Sequence, residues 1–274
     1  MVEKLGKNKL TILMCFIIFF SVILLSAGID ALEENVADGA DKNLSFVTEC
    51  GASTTVTSYV MGNYEKDDTV VRSGEQGCGK MSFTCNVDWG EEVIPDMLKI
   101  FDEKDMKITF FVTGSWASKH PDLLREMYLK GHEIGSHGYG HKMCSQISDN
   151  ELRSELEKTE KAIDDAIGIR PRYFAPPSGD FNEKTVNFCR ANDYRMILWS
   201  ADTIDWREGS TAEVIHQRIM SKELDGAVVL MHPKEETVKA LPGMIDAIRE
   251  KGIQPVKLSQ MIEPQKNELQ NEQR

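Results

Sequence analysis

The chain has 274 residues, a formal net charge of −12 and 41% hydrophobic residues. That is enough for one substantial core and not clearly for two. The acidic balance, with no basic block, argues against nucleic acid as a partner, because phosphate binding needs clustered Lys and Arg; a neutral or weakly charged substrate fits better.

An apolar run from Leu10 to Ala27 follows Lys4, Lys7 and Lys9 and meets no charge until Asp30. It sits at the lower edge of bilayer-spanning length and exceeds the usual apolar core of a cleavable signal. The basic flank should stay inside, so residues 1–28 read as a membrane anchor, or as a signal cut near Ser26-Ala27-Gly28, with the rest exported either way. Residues 29–79 are rich in Glu, Asp, Gly, Ser and Thr and read as an extracytoplasmic stalk, with Thr54 to Val60 alternating enough for a short strand. Cys50 and Cys78 bracket this stretch and either close a loop in an oxidising exterior or stand as free thiols. Cys85, Cys144 and Cys189 lack the paired spacing of a structural zinc site and read as small buried hydrophobes.

From residue 80 to 263 strand and helix signals alternate. Met81 to Asn86 predicts a strand, and Glu92 to Lys104 a helix with Val93, Met97, Leu98 and Phe101 on its apolar face. Ile108 to Val112 reads as a buried strand, Pro121 to Lys130 as a helix with proline at its first position, and Glu133 to Ser136 as a strand. Asp149 to Ile167 predicts a long amphipathic helix capped by Ser148 with Glu151 three residues on. Tyr173 to Ala175 and Arg195 to Trp199 read as strands around a helix from about Asn182 to Ala191. The alternation continues through a helix at Thr211 to Met220, a strand at Ala227 to Met231, a helix at Thr237 to Lys251 and a strand at Pro255 to Leu258, before a polar tail at 264–274. Parallel strands joined by crossover helices follow, and some seven units in this length favour an irregular (β/α) barrel over an open doubly wound sheet. No glycine-rich phosphate loop follows any strand, so nucleotide binding has little support.

The stretch from Ser136 to His141 reads H-x-x-x-H. Two imidazoles four residues apart on one face of a helical turn can converge on one divalent metal; the alternative is a chance spacing. The pair follows a strand directly, where α/β proteins place chemistry. His232, just past the strand ending at Met231, is a candidate acid or a surface histidine. Trp206 and Trp199 could wall a sugar site or pack in the core.

Taken in order, Phe83 to Gly90 (F-T-C-N-V-D-W-G), Thr109 to Gly114 (T-F-F-V-T-G), Gly131 to His137 with His141, Ala175 to Gly179 (A-P-P-S-G), Asp202 to Trp206 (D-T-I-D-W) and Leu230 to His232 resemble the polysaccharide deacetylase family, the NodB-homology type of carbohydrate esterase. The N-V-D-W-G and A-P-P-S-G variants are most similar to its sporulation-associated branch in Gram-positive bacteria. The resemblance implies a distorted (β/α) barrel and metal-dependent removal of N-acetyl groups from amino sugars of a cell-wall glycan, peptidoglycan or chitin-like. It implies metal ligation by His137 and His141, zinc being the first choice, a general acid at His232, and an oxyanion contact from the backbone at Ser178, with Pro177 and Trp206 beside the sugar.

Departures from the family pattern are as informative. Asn86 and Val87 stand where the resemblance implies a base and a metal-ligating acid, and Ala175 where it implies an arginine. A neutral amide is no base and valine no ligand. Asp205 is thereby expected to lose its partner. Asp88 can face the side that Asn86 faces, because residues two apart on a strand share a face, which makes it the candidate replacement as ligand or base. Three readings stand: an active deacetylase using Asp88, a glycan-binding pseudoenzyme and a purely structural envelope protein, the first two being carried forward.

Overall fold

The computed structural model describes residues 69–263. The apolar run, the strand expected at Thr54 to Val60 and Cys50 lie outside the described residues. Nine strands form one sheet, β1 (Val70–Val71), β2 (Lys80–Val87), β3 (Thr109–Val112), β4 (Glu133–Ser136), β5 (Tyr173–Phe174), β6 (Arg195–Ile197), β7 (Ala201–Asp202), β8 (Val228–Met231) and β9 (Gln254–Pro255). Their order is β1-β6-β5-β4-β3-β2-β8-β7, every neighbour pairs in parallel, and β9 adds to the start of β2. An isolated antiparallel bridge from Ser73 to Ala227 draws the segment after β1 towards the start of β8, so the sheet curls into an irregular barrel, as expected.

Parallel strands need crossovers, and helices supply them. They are α1 (Ile94–Glu103), α2 (Gly114–Lys119), α3 (Pro121–Leu129), α4 (Asp149–Ile167), α5 (Glu183–Ala191), α6 (Ala212–Met220), α7 (Glu235–Glu250) and α8 (Leu258–Ile262). On β3, Phe110 faces outward into the layer shared with α1 and α7, whereas Phe111 faces inward with Tyr173, Ile197 and Val228. Both faces are therefore buried, which is why β3 reads as an unbroken apolar run. Leu258 and Met261 of α8 join the inner cluster, and the Leu258 N–H donates to Thr109 Oγ1 at the start of β3. The segment expected as a strand to Leu258 thus turns into a helix after Pro255.

The capping signals were decisive for α4. The Glu151 N–H donates to Ser148 Oγ, the Ser148 N–H donates to Glu151 Oε2, and Gly168 ends the helix at φ +70°. One boundary differs from expectation. Val70–Val71 joins the sheet and Val71 is buried, so the folded part begins before residue 80. Cys78 is a free thiol that donates to Lys80 O and Asp225 Oδ1. Cys85, Cys144 and Cys189 are free and buried, as expected.

His132, ahead of β4, is 2% exposed and packs edge-on to Phe101 and Phe110. Its Nδ1 accepts the Ile108 N–H at 3.1 Å, so the proton sits on Nε2, which has no partner. Burial, reinforced by Lys107, holds its pKa down to about 4. Below pH 6.5 the unfolded chain takes up a proton at this residue that the folded protein refuses, so folding stability falls as pH drops from about 6.5 to about 4 and no further below that. The shift corresponds to roughly 3 kcal/mol. Denaturant titrations across that window should show the loss in the wild type and a flatter profile in His132→Asn, whose amide keeps an acceptor for Ile108; parallel profiles would contradict this.

Candidate functional site

Because the strands are parallel and in register at Val87, Val112 and Ser136, their carboxyl ends open on one side of the barrel. There a cavity of about 460 Å³ brings together Asn86, Asp88, His137, His141, Ser178 and His232, walled by Trp89, Trp199 and Trp206, with Asp202 and Leu230 completing it. This volume is in the range of small-molecule sites, roughly 300–1,000 Å³.

His137 follows β4 directly and is buried. Its Nδ1 lies 2.7 Å from Ala175 O, an acceptor, so Nδ1 carries the proton and Nε2 is left as a lone-pair donor. Burial pushes its pKa down to about 3, with His141 and His232 adding to the effect and the Ala175 bond opposing it. His141 stands 5.0 Å away, ring centre to ring centre. No helical turn joins the two: residues 137–141 form a loop, and His141 adopts φ +54°. The loop is shaped instead by Glu155 of α4, whose buried Oε2 accepts the N–H groups of Tyr139 and Gly140 at 2.8 and 2.7 Å.

Across the cavity, His232 follows β8. Its Nδ1 lies 2.8 Å from Asp205 Oδ1, while Asp205 Oδ2 accepts the His232 N–H at 2.7 Å and the Thr237 hydroxyl at 2.8 Å. Asp205 is thus fully partnered, contrary to expectation. The imidazole donates through Nδ1, leaving Nε2 free for proton transfer. Ile204 holds φ +51°, rare for a β-branched residue. Its N–H donates to Asp202 Oδ1 at 2.7 Å, so Asp202 steadies the strained turn that presents Asp205. Gly90, at φ +89°, lies so close to Pro233 that a Cβ would stand 2.6 Å from its ring, and this approach seats Trp89 against His232.

Asn86 and Asp88 both face the cavity, as their spacing on the strand implied. Asn86 is 6% exposed and its Oδ1 has no hydrogen-bond partner, whereas Val87 is fully buried in the core. Asp88 is exposed and its Oδ1 accepts the Thr113 hydroxyl at 2.8 Å. Among the described residues no group of three or more His, Cys, Asp or Glu side chains stands in metal-holding arrangement. Two imidazoles, one of them fixed with its Nε2 lone pair free, and the Asp88 carboxylate nevertheless line one cavity, short of a three-donor arrangement. Ser178 lies at the cavity at φ +55°. Pro177 is buried and does not line the cavity; it packs beneath the His137–His141 loop, where a Cβ on Gly138 would stand 3.7 Å from its ring. Trp89, Asp202 and Glu155 were missed from sequence. Trp89 and Asp202 both stood within recognisable motifs, Asp202 acting through a local bond to the Ile204 N–H, whereas the role of Glu155 comes from hydrogen bonds across the fold.

With that geometry in place, comparison with known proteins becomes specific. The polysaccharide deacetylase family model matches residues 73–197. A crystal structure of the CE4 family pseudoenzyme BA3943 from Bacillus anthracis superposes with a TM-score of 0.69 at 34% identity, covering 71% of this chain and 69% of that one, and a mutant of BA3943 has restored enzymatic activity. YlxY of Bacillus subtilis is 36% identical over 63% of this chain and 54% of its own length. A peptidoglycan-N-acetylglucosamine deacetylase of Bacillus cereus is 29% identical over 64% of this chain and 65% of its own. The chain belongs to the polysaccharide deacetylase family. The match to these two curated relatives spans between about half and two thirds of their length.

Glu155→Ala should leave the amides of Tyr139 and Gly140 without their acceptor. Hydrogen exchange should show both amides losing protection in Glu155→Ala and keeping most of it in Glu155→Gln. Unchanged protection in the alanine variant would remove Glu155 from this role.

Proposed function

We propose that the domain is a metal-dependent hydrolase that removes N-acetyl groups from amino sugars of a cell-wall polysaccharide, peptidoglycan or chitin-like, with a role in sporulation. The observation that carries this reading is the Asp205–His232 pair facing His137 and His141 across one cavity. His137 and His141 would hold the ion, zinc suiting their imidazoles; its chemistry is to polarise the acetyl carbonyl and make a water a better nucleophile. Asp88 stands in for the acids missing at Asn86 and Val87, as a further ligand or as the group that takes the water's proton. His232, oriented by Asp205, gives a proton from Nε2 to the departing amine, so the amide and water become acetate and a free amino sugar. The tryptophans offer flat apolar walls for the sugar rings.

A second reading, a glycan-binding pseudoenzyme, is favoured by Asn86, Val87 and Ala175 at the positions of base, ligand and arginine, and by the likeness to BA3943. Acetate release from N-acetylglucosamine oligomers and peptidoglycan, with and without zinc, separates the two. On the enzyme reading Asp88→Asn lowers turnover by about two orders of magnitude or more, with metal content falling too if Asp88 is a ligand. Asn86→Asp raises turnover only in part, since Ala175 offers no cation to its carboxylate. His137→Ala loses bound metal by elemental analysis. No acetate from any substrate would leave the pseudoenzyme reading, and activity indifferent to Asp88→Asn would remove that residue from the mechanism.

The apolar run at Leu10 to Ala27 is proposed to hold the protein at the outer face of the cytoplasmic membrane. Cell fractionation with protease accessibility should find the domain membrane-bound and exposed outside; recovery in the cytosol would reject export.

A further inference from the structure

The mouth of the cavity repeats one pairing at two places. Trp89, 39% exposed, has Lys234 Nζ 4.5 Å from its ring centre, and Trp206, 55% exposed, has the Arg207 guanidinium 5.5 Å from its own. Both indoles line the cavity. Elsewhere many cations are taken up by carboxylates: Lys104 pairs with Asp246, Lys107 and Lys130 share Asp102, and Lys239 holds Glu236. Lys234 and Arg207 have no such partner among the described residues, and their contacts with the indoles keep their charges at the cavity mouth. The lining of the cavity itself has the opposite character. Asp88 and Asp202 line it beside the imidazoles, so an anionic group is disfavoured there while a neutral acetamide is not. A ligand matching both zones is neutral where it enters and acidic where it leaves.

We propose that Lys234 with Trp89 and Arg207 with Trp206 form a carboxylate-recognition subsite, and that the glycan taken here is an amino-sugar polymer bearing acidic substituents. An alternating strand of N-acetylglucosamine and N-acetylmuramic acid has that chemistry; a chitin-like oligomer does not. This rests on the glycan reading of the cavity. Each exposed contact of this kind is individually weak, and salt screens it. Two together on a preformed mouth are enough to decide between otherwise similar strands.

The test is binding, not turnover. Purified full-length protein is titrated with three probes while tryptophan fluorescence is followed: a peptide-free N-acetylglucosamine–N-acetylmuramic acid strand, the same strand with its carboxylates methyl-esterified, and a neutral N-acetylglucosamine oligomer of equal length. The acidic strand should bind about tenfold more tightly than its ester at low salt, as two weak ion contacts would give. That preference should vanish in the Lys234→Gln, Arg207→Gln double variant, whose affinity for the neutral oligomer and thermal midpoint stay those of the wild type. Equal binding of acid and ester, or a preference that survives in the double variant, overturns the subsite and leaves the glycan reading standing. Failure of all three probes to bind overturns the glycan reading itself, and the subsite with it.

Discussion

The Asp205 carboxylate is the contact on which the site depends. It is buried, accepts three hydrogen bonds, and in doing so joins the turn after β7, the end of β8 and the first turn of α7. A buried charge is tolerated only when its oxygens are satisfied, and these are satisfied by groups that the chain brings from 27 and 32 residues away. The imidazole of His232 is positioned as a consequence. Asp202 takes the N–H of Ile204 and holds that residue in a left-handed conformation, so even the strain in the turn serves to present Asp205. Truncating Asp205 would release both the turn and the histidine.

The opposite side of the cavity is built on neutral groups. Asn86 is buried with an unpartnered oxygen, and Ala175 contributes a carbonyl to His137 rather than a cation to a base. These two features are consistent with each other: a carboxylate at residue 86 with alanine at residue 175 would be a buried charge with no counter-ion on that side, and its removal spares the fold that cost. Asp88, one turn of the strand pattern further out, keeps a carboxylate at the same cavity while remaining exposed and tied to Thr113.

Much of this was legible because local signals and global fold agreed. The apolar stripe of α1 and the unbroken apolar run of β3 follow from burial against a parallel sheet, and the capping box at Ser148 from the unpaired N–H groups of a helix start. What escaped the sequence has identifiable physical origins. β1 and β7 are two residues each, and pairs so short are defined by their neighbours rather than by any pattern of their own. α2 begins with Gly114 and Ser115 and is only six residues long; its start is set by Thr113, which accepts the Trp116 N–H and also donates to Asp88. The histidine spacing suggested a helical turn, whereas a distant buried carboxylate, Glu155, folds the loop and the left-handed His141 completes it. Pairing over such distances leaves no periodic trace. Asp88 was correctly set on the side of Asn86 because strand alternation is local; the partner that holds it, Thr113, belongs to another strand end.

The central claim is that Asp88 supplies the carboxylate of a site otherwise formed by His137, His141 and the Asp205–His232 pair. Crystals of the protein soaked with zinc, with anomalous data collected at the zinc edge, test it most directly. The account predicts one peak within bonding distance of His137 Nε2 and the His141 ring, with the Asp88 carboxylate contacting either the ion or a water bound to it. A cavity without a peak, or an ion on the histidines with Asp88 still held only by Thr113, would contradict it.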